Sequence, residues 1–138
     1  MNKFKIHTDG AARGNPGPAG AGWVVVSSEG RIVVEGYRYL GELTNNQAEY
    51  RALILALEDA LEKEVNAIEI YSDSELMVRQ LEGKYKVKNE GLKPLFDKAR
   101  GILAGFESYS LNHVDREKNA QADGLANKAI DEHFGSVL

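Results

Sequence analysis

Four acids in this chain, Asp9, Glu49, Asp73 and Asp123, are of the type and spacing that could do chemistry together. Each falls on a different predicted element, and the elements can bring them to one place. Clustered carboxylates repel one another strongly where water is partly excluded, so such a group demands cations or protons. Oxygen donors alone suit Mg²⁺ or Mn²⁺ rather than zinc. Two such ions about 4 Å apart support in-line displacement at a phosphodiester, one activating the attacking water and the other stabilising the leaving 3′ oxygen.

Taken singly, the acids have plainer readings. Asp9 follows the alternating run Lys3-Phe4-Lys5-Ile6-His7-Thr8 and precedes a Gly- and Pro-rich stretch to Gly20, so it is predicted to end a strand. It also reads as a turn residue. Asp73 follows another strand pattern and also reads as the N-cap of a helix. Asp123 lies at the edge of the stripe Ala122, Leu125, Ala126 and Ala129, where a partly solvated acid near a helix start is favoured by the macrodipole. Glu49 is harder to dismiss. At 100° per residue it shares the small apolar face of its helix with Ala52, Leu53, Ala56 and Ala60. A carboxylate there is costly unless it is paired or metal-bound. One convergence accounts for all four.

The elements that must position them follow from the patterning. After the first strand come a second, Gly22 to Ser28, and a third, Arg31 to Leu40, making an antiparallel meander. Thr44 with Gln47 forms a capping box for a helix to about Glu62. A fourth strand covers Val65 to Tyr71, a short helix Ser74 to Leu81, a helix Leu92 to Leu103, a fifth strand Phe106 to Val114, and a last helix Lys118 to Phe134. The order βββαβααβα predicts an α/β fold: a mixed five-stranded sheet, with the first, fourth and fifth strands parallel and helices on both faces. Ligands of such sheets bind beyond the C-terminal ends of the parallel strands.

The 138 residues suggest one domain, 1–138, without repeats or linkers. There is no cysteine, which fits a reducing, cytoplasmic setting. No apolar run approaches membrane-spanning length, and Met1-Asn2-Lys3 leads into a strand rather than a signal peptide. The net charge of −4 argues against a purely electrostatic nucleic-acid binder. It argues less against an enzyme whose acids gather cations.

The runs Thr8-Asp9-Gly10 with Gly14-Asn15-Pro16-Gly17-Pro18, Thr44-Asn45-Asn46-Gln47-Ala48-Glu49, Tyr71-Ser72-Asp73-Ser74, and Asn119-Ala120-Gln121-Ala122-Asp123-Gly124-Leu125-Ala126 resemble, in order, the four motifs of the type 1 ribonuclease H family. The resemblance implies a ribonuclease H-like fold and endonucleolytic hydrolysis of the RNA strand of RNA–DNA hybrids, leaving 5′-phosphate and 3′-hydroxyl ends. It implies Asp9, Glu49, Asp73 and Asp123 as the acids that bind two Mg²⁺ or Mn²⁺ ions. It implies Asn15, Asn46 and Gln47 as contacts to the hybrid's wide minor groove, where 2′-hydroxyls are displayed. Gln47 reads equally as a capping residue. The expected partner is the hybrid alone, with no membrane, no protein partner and a monomeric chain.

Two departures stand out. The basic insertion of better-known bacterial members shrinks to Leu81–Leu92, leaving Lys84, Lys86 and Lys88 around Tyr85. These read as phosphate contacts or as a solvated, lysine-protected edge. The loop that carries an assisting His in many members is only Asp115-Arg116-Glu117-Lys118, and Arg116 is the expected stand-in. Guanidinium stays protonated, so it would steady phosphate charge rather than act as a base. His113 reads as a core or edge histidine, and His7 and His133 carry no signal. The catalytic domain is expected to begin almost at Met1, with no hybrid-binding module ahead of it. The competing readings are a catalytically silent nucleic-acid binder and a nuclease of this fold acting on another nucleic acid, such as double-stranded RNA.

Overall fold

Five strands form one mixed sheet in the order β3-β2-β1-β4-β5 in the computed structural model, which describes residues 3–135. Met1, Asn2 and the last three residues of the expected 1–138 domain lie outside the described residues. β1 (Phe4–Ala12), β2 (Gly17–Val26) and β3 (Ile32–Leu43) make the antiparallel meander, while β4 (Ala67–Ser72) and β5 (Ser108–His113) run parallel to β1. α1 (Asn45–Glu62) packs on one face and α4 (Ala120–His133) on the other. α2 (Glu75–Leu81) follows β4, and α3 (Lys93–Leu103) packs against α1.

The glycine-rich stretch corrects the expectation that β1 stops at Asp9. β1 continues to Ala12, and β2 starts five residues earlier than expected, with pairing from Asp9↔Gly22 to Ala12↔Ala19. These glycines mark close packing rather than chain reversal. A Cβ on Gly10 would overlap the Ala48 backbone of α1, and one on Gly22 would overlap the Ala122 backbone of α4. Only a strand without side chains lets both helices approach this closely. The real turn lies at 13–16, where Gly14 takes a φ of +107°. Asp9 is still a strand end on its other side, because the parallel pairing with β4 finishes at Thr8↔Ser72.

Local chemistry sets the helix starts. Both halves of the capping box form: Gln47 N donates to Thr44 Oγ1 at 3.2 Å, and Thr44 N donates to Gln47 Oε1 at 2.9 Å. Ser74, not Asp73, caps α2 by accepting from Met77 N at 3.2 Å, so the Asp73 carboxylate is free for other work. Within α2, Met77, Val78 and Leu81 are buried while Leu76 is exposed, a small correction to the expected stripe. The run 84–88 forms no strand, so the protected-edge reading of its lysines falls. The core lies between α1 and the sheet, where Leu53, Leu57 and Tyr50 meet Ile6, Val25, Ile68 and Ile70. Each large side chain buried there contributes about 1.5–3 kcal/mol. The Tyr50 hydroxyl donates to Gln80 Oε1 at 2.6 Å, satisfying two buried polar groups between α1 and α2.

Candidate functional site

The acids meet where the parallel pairing ends. Asp9, Glu49 and Asp73 each offer an oxygen, all within 4.8 Å of one another. Asp9 and Glu49 are each only 4% exposed, and Asp73 is half-buried. Glu49 can come so near because Gly10 lets α1 sit against β1, and Glu49 Oε1 accepts from Gly10 N at 2.9 Å. Asp123 is not in this tight group of three. It lies near enough to Asp9 to help raise that carboxyl's pKa. The α4 start is anchored to the same strand, where the buried Asn119 donates from Nδ2 to Thr8 O at 2.8 Å.

The electrostatics are those of carboxyls crowded together in a partly desolvated site. Burial, then the Glu49 charge and the Asp123 and Asp73 carboxyls, hold the Asp9 carboxyl far above the ordinary carboxylate range. Burial also raises Glu49, against the lowering effect of the Gly10 N–H and of the Arg116 charge. Three carboxylates with no imidazole or thiolate among them form a donor set for a hard divalent ion, and its charge would relieve what otherwise favours protonation.

A cleft of about 350 Å³ opens beside Glu49 and Asp73, which line it with Asn45, Ser74, His113, Val114, Asp115 and Arg116. Arg116 is exposed, in the 3₁₀ turn Arg116–Asn119 that leads into α4. His113 is an edge histidine rather than a core one: it is exposed at the C-terminal end of edge strand β5, and it also lines this cleft. Asn15 and Asn46 are exposed beside it. Asn15 Oδ1 accepts from Asn45 N at 2.9 Å, tying the β1–β2 turn to the start of α1. Gln47 spends its carbonyl oxygen on the cap, and its Nε2 faces Gly91 in the α2–α3 connection. That connection carries Lys86, Lys88 and Tyr85, all exposed, and Lys84, which pairs with Glu82. His7 stacks on Tyr71 and bonds Asn119, and His133 stacks on Tyr39, so neither enters the site.

A family model described as reverse transcriptase-like matches residues 7–129. The chain is 49% identical over 130 residues to a ribonuclease HI of Halobacterium salinarum, covering 93% of this chain and 65% of that protein. Among solved structures it resembles LC11-RNase H1 in complex with an RNA/DNA hybrid, at 47% identity and a TM-score of 0.91, covering 96% of this chain and 99% of the other. The chain belongs to the ribonuclease H family. It also resembles the N-terminal RNase H domain of a Mycobacterium tuberculosis protein, at 38% identity and a TM-score of 0.93 with both chains fully covered. It spans less than two thirds of the first curated relatives it matches, 65% of the halobacterial protein and 36% of the mycobacterial ones.

As a ribonuclease H domain, this chain has the mixed sheet and the helices on both faces that its motifs imply. No helix among its described residues is long and apolar enough to cross a membrane. Motif reading passed over several residues now seen around the site. Asn45 sits inside the second motif, lines the cleft and accepts weakly from Ala12 N at 3.4 Å. Asn119 opens the fourth motif, and nothing in the sequence pattern shows that its amide reaches Thr8.

Proposed function

We propose that this chain is an endoribonuclease that hydrolyses the RNA strand of RNA–DNA hybrids, leaving 5′-phosphate and 3′-hydroxyl ends. One observation carries the reading: three oxygen ligands from distant parts of the chain lie within 4.8 Å of one another, and two of them, Glu49 and Asp73, line an open cleft. We assign Asp9, Glu49, Asp73 and Asp123 as the acids that hold two Mg²⁺ or Mn²⁺ ions. Bound there, the ions would supply an activated water and charge stabilisation for the leaving oxygen. The protein's part is orientation. Gly10 N–H directs one Glu49 oxygen, so the other is left to the site. Ser74 takes the capping role, which frees both oxygens of Asp73. Asn15, Asn46 and Gln47 are assigned to the hybrid's minor groove, and the exposed lysines of 84–88 to its phosphates. Among these, Gln47 can donate only from Nε2 while its cap is intact. The domain acts as a monomer in this reading, and a cytoplasmic location fits it.

The test is a cleavage assay on labelled hybrid, duplex RNA, duplex DNA and single strands, with Mg²⁺ and Mn²⁺ in parallel. Cleavage confined to the RNA of the hybrid is expected. Binding without cleavage under every condition would instead mark a silent nucleic-acid binder, and preferential cutting of duplex RNA a nuclease with another target.

Arg116 is assigned to steady phosphate charge at the rim, within electrostatic reach of Glu49. It is exposed, so water screens much of its effect. Arg116→Ala is expected to lower kcat by about fivefold, roughly 1 kcal/mol of transition-state stabilisation, with metal affinity little changed. Steady-state kinetics with Mg²⁺ titration checks this, and an unaltered kcat would return Arg116 to the solvated surface.

A further inference from the structure

Asp123 stands outside the tight group of three acids, so something other than that packing must hold it. We propose that Asn127 is a positioning residue for Asp123, itself oriented by Arg13 from the β1–β2 turn; this rests on the reading of the four acids as the ion-holding centre. Asn127 lies one helical turn after Asp123 on α4. Its Nδ2 donates to the Asp123 backbone oxygen at 3.0 Å and points at Asp123 Oδ1 at 3.4 Å. Its Oδ1 accepts from Arg13 Nη2 at 3.2 Å. A guanidinium can only donate, so Arg13 dictates which end of the Asn127 amide faces it. The N–H end is thereby turned to Asp123. Arg13 is itself held by Asp131, with Nη1 to Oδ1 at 2.6 Å.

The turn is anchored at both ends of the site. Arg13 ties it to α4, which carries Asp123, and Asn15 ties it to the start of α1, which carries Glu49. The loop assigned to read the hybrid therefore spans the two helices that bring acids to β1. A shift of Asn15 on substrate binding would reach Asp123 through Arg13 and Asn127. The Arg13–Asp131 pair is about half exposed, at 46% and 47% of the side chains, and exposed pairs contribute little to folding. That separates the two roles: loss of positioning should leave stability nearly intact.

Asn127→Ala and Arg13→Leu are expected to weaken Mn²⁺ binding, measured by calorimetry, or to lower kcat on hybrid, by about tenfold, as for other residues that orient metal ligands. KM and the melting temperature should hardly move. Asn127→Asp keeps an acceptor for Arg13 but sets a carboxylate beside Asp123, so its loss should exceed that of Asn127→Ala. Arg13→Gln, which keeps a donor for Asn127, should recover most of the Arg13→Leu loss. Unchanged Mn²⁺ affinity and unchanged kcat in both Asn127→Ala and Arg13→Leu would overturn the proposal. So would a loss that only tracks a lowered melting temperature. If the wild-type chain cleaves no hybrid yet the variants still lose Mn²⁺ affinity, the nuclease reading fails and the positioning role stands.

Discussion

Asp9→Asn is expected to lower hybrid cleavage at least about a thousandfold while raising the melting temperature of the metal-free protein. The two effects have one cause. Asp9 lies within 4.8 Å of both Glu49 and Asp73, and the Asp123 carboxyl also acts on it. An amide keeps the shape but loses the charge that would hold a divalent ion. Charge stabilisation by such ions is worth several kcal/mol, and each 1.4 kcal/mol or so is a factor of ten in rate. Without metal the same carboxylate is a liability, because burial and its neighbours disfavour ionisation. Removing it relieves that repulsion, and a gain of about 1 kcal/mol would appear as roughly 3–4 °C in a chain of this length. Single-turnover cleavage and thermal melting in chelator check the pair of outcomes. Full activity of the variant with Mg²⁺ would remove Asp9 from the centre. A large drop in melting temperature would show that the inactivity comes from misfolding.

Chelation is expected to abolish cleavage and excess Mg²⁺ to restore it, with a stability signature that depends on pH. Asp9 and Glu49 have folded-state pKa values raised above the unfolded ones. The folded state therefore binds more protons than the unfolded state, and the pair's contribution is fully present below the ordinary carboxylate pKa, near 4. It is lost as pH rises through the raised values. Metal-free protein should thus lose this contribution from mildly acid to alkaline pH. Divalent ions compete with those protons, so their binding strengthens as pH rises. A hundredfold excess of Mg²⁺ over its dissociation constant adds about 2.7 kcal/mol, roughly 8 °C here. That increment should be clear at pH 8.5 and small at pH 5.5. A Mg²⁺-induced shift equal at both values, or cleavage that persists in chelator, would count against the carboxylate centre.

Glu49 shows why much of the site was legible beforehand. Helical periodicity alone puts it among Ala52, Leu53, Ala56 and Ala60, all of which are fully buried. A carboxyl there needed a partner, and the Gly10 N–H supplies one. Thr44 and Gln47 were equally readable, because a capping box involves residues three apart and needs no tertiary contact. His113 shows the limit: its strand assignment follows from local pattern, but its exposure beside Glu49 depends on β5 being the edge strand next to β4.

By itself, the sequence determined the α/β architecture through the order of its strand and helix patterns, and the family through the resemblance of its four motifs. Periodicity and capping act over a few residues and are written directly in the chain. Tertiary structure alone decided three things: that glycine at 10, 20 and 22 marks helices pressed onto a continuing strand rather than a turn, that Asp123 stands apart from the other three acids, and that Arg13 and Asn127 meet across 114 residues. Each is a matter of close approach between segments far apart in the chain, set by how much space the side chains between them leave, and no local pattern records that distance.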